Sequence, residues 1–281
     1  INFMKIFDCI TFFEENFLLK IRFEILNKFV DYFVICESKY GHDGVKKKIN
    51  FNKNRYPKFK DKIIHLIIRK FPSNTNRWNK QDYQRNYIFN GIKKANPDDI
   101  IIFSDSDEIP NPFLFKKFKS KSRYFLFIQK HFCYKFNIYN SSEYKWEGSR
   151  ACKKKDLRNF NWLRTKIRKK NNDYSFWRID KIKNIEILNN GGWHFSYFLT
   201  PSQIKNKIKS NPHTEFINKK NLNLKTIKER IKNILDPLGR NIILKKTKNN
   251  LSLPNYINKN KKLFILCKYK TIRILKCHLY Q

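Results

Sequence analysis

The chain has 281 residues, 41% of them hydrophobic and 26 of them phenylalanine, enough apolar material for a sizeable core, which excludes a disordered protein. Its 61 Lys and Arg against 23 Asp and Glu leave a formal charge of +38, which invites an anionic partner such as nucleic acid or a lipid surface. The cations form no single arm, being spread along the chain in "KKKIN", "KKFKSKSR", "CKKKD" and "KNKKLF". Heavy use of Lys, Asn, Ile, Phe and Tyr also matches an AT-rich coding bias, so charge alone names no function.

In chain order, "MKIFDCITF" reads as a first buried strand and "EENFLLKIRFEILNKF" as a helix, with Leu18, Ile21, Ile25, Leu26 and Phe29 at helical spacing. "VDYFVICES" is a second strand ending near Glu37. A polar loop, "KYGHDGVKKKINFNKN", separates it from a third strand, "DKIIHLIIRKF". The helix "NKQDYQRNYIFNGIKKA" lines Tyr83, Tyr87, Ile88 and Ile92 along one side and stops at "ANPDD", since proline cannot continue it. "IIIFS" is a fourth strand. Two further strands are expected in "RYFLFIQKHFCYKFNIY", and strand and loop elements in "YKWEGSRACKKKDL" and "IEILNNGGWHFSYF".

After Pro201 the texture turns helical and basic, in "SQIKNKIKS", "NLKTIKERIKNIL" and "KKLFILCKYKTIRILKCHLY". The simplest organisation is a catalytic domain over residues 4–200 and a basic helical extension over 201–281 packed on or adjoining it. The order of elements predicts an α/β fold, a mostly parallel central sheet flanked by helices. The alternating cations and aliphatics of the last segment suit peripheral contact with an anionic membrane, or packing on the catalytic domain.

Cys9, Cys36, Cys133, Cys152, Cys267 and Cys277 show no CxxC spacing. Buried thiols, a reducing compartment and a cytoplasmic location, at or near the inner face of the membrane, are the expectation. "INFMKIFDCITFF" lacks the layout of a secretory signal, Met4 reads as an initiator, and no apolar run reaches the roughly 18 residues of a spanning helix.

The chemistry concentrates in "PDDIIIFSDSDEIPNP", where the fourth strand runs into Asp105, Asp107 and Glu108. In parallel α/β sheets ligands bind beyond the carboxyl ends of the strands. Asp8, Glu37 and Asp105 all fall near such ends. Two aspartates one residue apart converge on a hard divalent cation, Mg2+ or Mn2+, when the backbone turns after the strand. The same acids also fit a solvated loop, and each of the others fits a helix cap or an ion pair with a neighbouring lysine.

"FDCITFFEENFLLKIRFEIL", "DYFVICES", "QRNYIFNGIKKANPDDIIIFSDSDEIPNP" and "GGWHFSYF" together resemble glycosyltransferase family 17 from about Met4 to Asp236. The resemblance implies a GT-A-like fold, a nucleotide-sugar donor (UDP-GlcNAc in the animal member), a divalent metal and inversion at the anomeric carbon. On that reading Asp105, Asp107 and His194 are the metal set, with Asp107 the first choice for direct ligation and Asp105 nearer the ribose. Asp8, Thr11, Glu37, Gln84, Arg85, Asn86, Asp105 and Trp193 are expected around the nucleotide and sugar. Glu215, Glu147 and Asp236 are the candidates for the general base that deprotonates the acceptor, a glycan or lipid-linked hydroxyl. Glu108 orients a metal-bound water or stays solvated.

Two other classes compete. A phosphohydrolase of the haloacid type also uses DxD, but on its first strand and with a small residue where Glu108 stands. A nucleic-acid binder would use the charge and the aromatics, yet leaves the acidic cluster unexplained. No nucleic-acid partner is therefore expected.

Overall fold

The computed structural model describes residues 4–247 and 252–260. The first half follows the expected order: β1 (Ile6–Phe12), α1 (Asn16–Leu26), β2 (Tyr32–Ser38), β3 (Ile63–Ile68), α2 (Arg77–Tyr87) and β4 (Ile100–Asp105). These strands are parallel and lie side by side as β4-β1-β2-β3. The chain moves outward from β1 to β3 and then crosses back to place β4 on the other side of β1. That reversal opens a crevice at the carboxyl ends of β1 and β4, where ligands of such sheets bind.

Strand alternation assigns the faces. Ile10, Phe12, Ile100 and Ile102 join one core with Leu18, Leu19 and Phe23 of α1. Phe7, Cys9, Ile101 and Phe103 join the other with Ile88, Ile92 and Phe160. The helices therefore cover both faces of the sheet, as right-handed crossovers in opposite directions require.

The second half departs from the mostly parallel sheet read from the sequence. β5 (Glu108–Pro110), β6 (Tyr124–Cys133), β7 (Ile138–Asn140), β8 (Lys145–Lys153), β9 (Ile185–Leu188) and β10 (Gly192–Ser196) follow, and β8 sits antiparallel between β4 and β6. β7 is antiparallel to β6, and β5 to β10, whereas β9 and β10 run parallel to β6. β6 returns to β8 through residues 134–144 without a crossover helix, and a connection that short brings the chain back antiparallel. The result is a mixed sheet with flanking helices.

Between β8 and β9 lies α3 (Phe160–Lys166), which the sequence reading did not anticipate; the Asn159 side chain caps it by accepting from Trp162 N at 2.7 Å. Past residue 200 come α4 (Pro201–Ser210), α5 (Leu224–Lys232), β11 (Leu244–Lys246) and α6 (Asn255–Lys259). Ile204, Ile208 and Ile227 pack α4 on α5. The expected amphipathic segment "KKLFILCKYKTIRILKCHLY" lies outside the described residues. Among the described residues no helix is long and apolar enough to cross a membrane, and Cys9, Cys36, Cys133 and Cys152 are buried free thiols.

Candidate active site

Asp105 is the last residue of β4 and stands in register with Thr11 of β1, so both reach the mouth of the crevice. Asp105 shares parity with Ile101 and Phe103 and is directed to the layer of α2 and α3. There Arg164 of α3 meets its carboxylate at 2.8 Å, and Arg85 of α2 stands 3.8 Å away. Burial works to raise the Asp105 pKa, but Arg164 and then Arg85 overcome it and hold the group below the ordinary carboxylate value. Arg85 also donates to Asn161 Oδ1 at 3.0 Å, and its Nε is buried without a hydrogen-bond partner.

Glu108 answers the question its position raised. It is completely buried and accepts four hydrogen bonds: Trp146 Nε1 (2.7 Å), Arg164 Nη2 (2.7 Å), Arg164 Nη1 (3.0 Å) and the backbone N of Asp105 (3.2 Å). It is shut off from solvent, and each of its oxygens accepts two of these bonds. It locks the Arg164 guanidinium in a bidentate grip and folds the DSDE turn back on itself.

Asp107 is held by Phe195 N, which donates to its carbonyl at 2.8 Å, and by Lys207 of α4, whose ammonium donates to Oδ2 at 3.0 Å. Lys207 also binds Glu15 at 2.9 Å, so one ammonium bridges the end of β1 and the acidic turn. Burial opposes its charge, but Asp107 and Glu15 raise its pKa well above the ordinary lysine value. Asp107 is correspondingly depressed: burial pushes up, and Lys207 followed by His194 pulls further down.

His194 arrives opposite Glu108 through the antiparallel register of β10 and β5. Gly192 permits this approach. It sits at φ +129, and a Cβ there would collide with the Ile109 carbonyl and come within 2.8 Å of Asn111 N. His194 forms a ring cluster with His131 (ring centroids 4.4 Å apart) and Trp146 (4.6 Å), which also touch each other (5.4 Å).

A chain of hydrogen bonds fixes its tautomer. Asn140 Oδ1 accepts from Glu143 N, so its Nδ2 faces His131 Nδ1 at 3.2 Å and donates to it. His131 is neutral, its pKa pushed down to about 2 by burial and by His194, so its proton sits on Nε2 and goes to Ser196 Oγ at 2.9 Å. Ser196 then donates to His194 Nε2 at 3.1 Å. His194 Nε2 is therefore unprotonated, its lone pair taken by the Ser196 hydroxyl, and it stands 3.6 Å from Asp107 Oδ1, itself an acceptor, while the His194 Nδ1 is buried without a hydrogen-bond partner.

A cation would sit between these two acceptors once the Ser196 hydroxyl turns away from Nε2. The set is smaller than the sequence suggested. Asp105 is turned to Arg164, and no group of three or more His, Cys, Asp and Glu stands in ligating arrangement among the described residues. The residues present fit a divalent cation held by Asp107 and His194 alone, with Lys207 on the second carboxylate oxygen fixing the orientation of the first.

Other expected site residues are placed elsewhere. Asp8 is buried and gives both oxygens to Arg22, whose guanidinium also reaches Ser104 Oγ at 3.0 Å and the Glu108 carbonyl; it is an internal ion pair with nothing left for a nucleotide. Glu37 is buried too. It accepts from Lys47 Nζ at 2.5 Å and from the backbone N of Asn50 and Phe51, anchoring the loop after β2 instead of lining a ribose pocket.

Gln84 ties α2 to β2 through the Cys36 carbonyl (3.0 Å) and to His42 (2.9 Å), while Asn86 accepts from Asn161 N at 3.0 Å and holds α3. Trp193 faces away from His194 by strand alternation, packs in the α1-side core and donates to the Ser252 carbonyl at 2.8 Å, so it stacks on no sugar. Asp236 is buried, caps Leu238 N and Arg240 N and pairs with Arg240 at 2.8 Å, which removes it as a general base. Glu147 is paired with Arg168 (2.9 Å) and Arg150 (3.7 Å), and Glu215 is an exposed partner of His213 (2.8 Å).

Arg164, Lys207, Glu15, His131 and Trp146 were not foreseen. The first two are ordinary letters among 61 cations, and the only available signal was Asn159 as a helix cap ahead of "FNWLRTK".

The sequence pattern of glycosyltransferase family 17 matches residues 2–264. The chain belongs to glycosyltransferase family 17. It is 28% identical over 116 residues to the beta-1,4-mannosyl-glycoprotein 4-beta-N-acetylglucosaminyltransferases of Rattus norvegicus and Homo sapiens. Each match covers 38% of this chain and 22% of the relative's length. Among solved structures it is similar to a glycosyltransferase involved in the glycosylation of the major capsid of PBCV-1, with a TM-score of 0.30 and 12% identity over 66% of this chain and 81% of that one. The DSDE and GGWHFSYF blocks of the family pattern meet at one site, through the β5–β10 register.

Proposed function

We propose that this family 17 glycosyltransferase has a GT-A-like fold and transfers N-acetylglucosamine from UDP-GlcNAc, with inversion, to a hydroxyl of a glycan or lipid-linked acceptor. One observation carries the reading: the DSDE turn at the β4 end gathers Asp105 and Asp107 with Arg85, Arg164, Lys207 and His194 at the β1–β4 crevice. Family membership and the printed names of the relatives support the chemistry and the sugar.

The leaving group of such a transfer is a nucleoside diphosphate, and its developing charge must be met in the transition state. Arg85, with an unpartnered buried Nε, is the protein cation best placed to meet a phosphate oxygen. Arg164 is held immobile by Glu108 and keeps Asp105 ionised. Asp107 Oδ1 and His194 Nε2 would hold a divalent cation, Mn2+ or Mg2+, which supplies Lewis-acid charge to the diphosphate when bound. Lys207 keeps that carboxylate oriented and deprotonated. Glu215 or Glu147 is assigned to deprotonate the acceptor hydroxyl; the variant of Glu215→Gln and Glu147→Gln that loses transfer names the base. The buried free thiols support a reducing, cytoplasmic setting.

The test is a screen of nucleotide sugars for hydrolysis and transfer, with and without Mn2+, beside Asp107→Ala. UDP-GlcNAc turnover that needs the cation and falls by roughly two orders of magnitude in the variant is expected. Equal turnover by the variant rejects the site, and turnover of another nucleotide sugar alone rejects the donor.

A further inference from the structure

The segment after α3 presents an unusual surface. Phe176, Trp177 and Ile179 are 85%, 66% and 93% exposed, three large apolar side chains within four residues. Phe176 and Trp177 rest edge to face on each other (5.1 Å), with no core beneath them to account for their exposure. Scattered single apolar residues are ordinary on a surface, but a contiguous apolar tip marks an interaction site.

The surroundings name the partner. Nine Lys and Arg and two Asp fall between Arg158 and Lys183. Beside the tip a cavity of about 420 Å³ is lined by Arg158, Trp162, Lys166, Arg168, Lys170 and Lys181. Asp180 also lines the cavity and offsets part of that charge, pairing with Arg178 at 2.7 Å and Lys181 at 3.1 Å, but the cations stay in large excess. Arg178 and Lys181 also stack over Tyr174, at 5.2 and 5.3 Å, so the base of the tip is itself aromatic and cationic. Apolar and aromatic side chains projecting from a basic collar with a basic cavity roomy enough for a phospholipid headgroup are the complement of an anionic bilayer: the tip enters the acyl boundary and the cations meet the headgroups.

We propose that residues 174–183, with the basic cavity behind them, dock this protein onto an anionic phospholipid surface. The α3 helix carries both functions on opposite sides. Arg164 faces Asp105 and Glu108, while Trp162 and Lys166 line the cavity. Docking at the tip therefore sets the crevice one helix away from the lipid. The surface differs from the C-terminal basic segment and does not depend on which sugar is transferred.

The experiment is flotation of the full chain with vesicles of phosphatidylcholine alone or containing phosphatidylglycerol. The native protein should float with the anionic vesicles only. Phe176→Ser/Trp177→Ser/Ile179→Ser, which alters exposed side chains, should lose at least tenfold in partitioning with an unchanged melting temperature. Lys170→Glu/Lys181→Glu should lose a similar amount and respond less steeply to salt. Trp177→Phe should still float but lose the blue shift of tryptophan emission that vesicles induce in the native chain. Native flotation by the triple variant overturns the proposal, as does failure of the native protein to float or equal flotation with neutral vesicles.

Discussion

Glu108→Gln separates the acid that builds the site from the acids that work in it. The carboxylate is completely buried, receives both Arg164 nitrogens, and accepts from Trp146 and from Asp105 N. Gln preserves the shape but offers one acceptor oxygen and a donor amide, which must face an Arg164 N–H together with either the Trp146 Nε1–H or the Asp105 backbone N–H. Removing one partner of a buried ion pair costs about 3–5 kcal/mol because the other charge is stranded. Here Arg164 retains Asp105 at 2.8 Å, so the low end, about 3 kcal/mol, is expected.

Urea denaturation reads that loss as a midpoint lowered by more than about 1 M at the usual slopes. A double-mutant cycle with Arg164→Gln should give a coupling within the roughly 0.5–3 kcal/mol range of neighbouring groups, toward its upper end. Additivity of the two substitutions, or a stability equal to the native protein, would refute the claim that Glu108 is a structural anchor. Asp107→Asn should show the opposite pattern, a folded protein with little transfer.

Protonation of the buried histidines predicts an acid-side instability. His131 has its pKa pushed down to about 2 and His42 to about 4, in both cases chiefly by burial. The unfolded chain binds their protons near pH 6.5, so their contribution is complete above that pH and is lost below it, at about 1.4 kcal/mol per unit for each histidine; His42 stops adding to the slope near pH 4. Urea melts at pH 7 and pH 5 should differ accordingly, and identical midpoints would contradict the neutral relay through Ser196. Gly192→Ala should cost about 1–3 kcal/mol from its backbone conformation alone, lowering the melting temperature and the transfer rate together as β10 shifts from β5; native values for both would remove the register argument. Asp236→Asn should lower the melting temperature but leave the rate per folded molecule unchanged, and loss of transfer in fully folded variant would restore it as the base.

The strands of the first half and the acidic turn were legible because their signals are local. Apolar runs alternate with amphipathic helices, and acids are scarce enough to stand out. Thr11, Arg85, Asp105, Asp107 and His194 were singled out that way, with the family blocks, and the fold brings them to the same end of the sheet. The antiparallel β8 was not legible, since direction depends on what a connection does in space. Asp8, Glu37 and Asp236 misled for a physical reason: a carboxylate near a strand end reads the same whether it faces a ligand or Arg22, Lys47 or Arg240. Arg164 and Lys207 were hidden by abundance. Function attaches to the few cations that are buried, and burial is invisible in a list of 61.

The charge balance of the site shows why the buried cations matter in a protein already at +38. Diffuse surface lysines are screened within about 10 Å at 0.1 M salt, so they do little for a phosphate in a crevice. Within the network, four carboxylates, Glu15, Asp105, Asp107 and Glu108, face three cations, Arg85, Arg164 and Lys207. A diphosphate entering that network would meet net negative charge and two further acceptors, Asp107 Oδ1 and His194 Nε2. One divalent cation at that pair reverses the sign. The polarity of the Asn140–His131–Ser196 relay, which keeps the proton off His194 Nε2, therefore ties a hydrogen-bond chain in β6, β7 and β10 to the electrostatics of donor binding. His131→Gln, which interrupts the relay at the ring stacked on His194, should accordingly weaken Mn2+ binding measured by calorimetry without nucleotide; unchanged affinity would show that His194 selects its tautomer unaided.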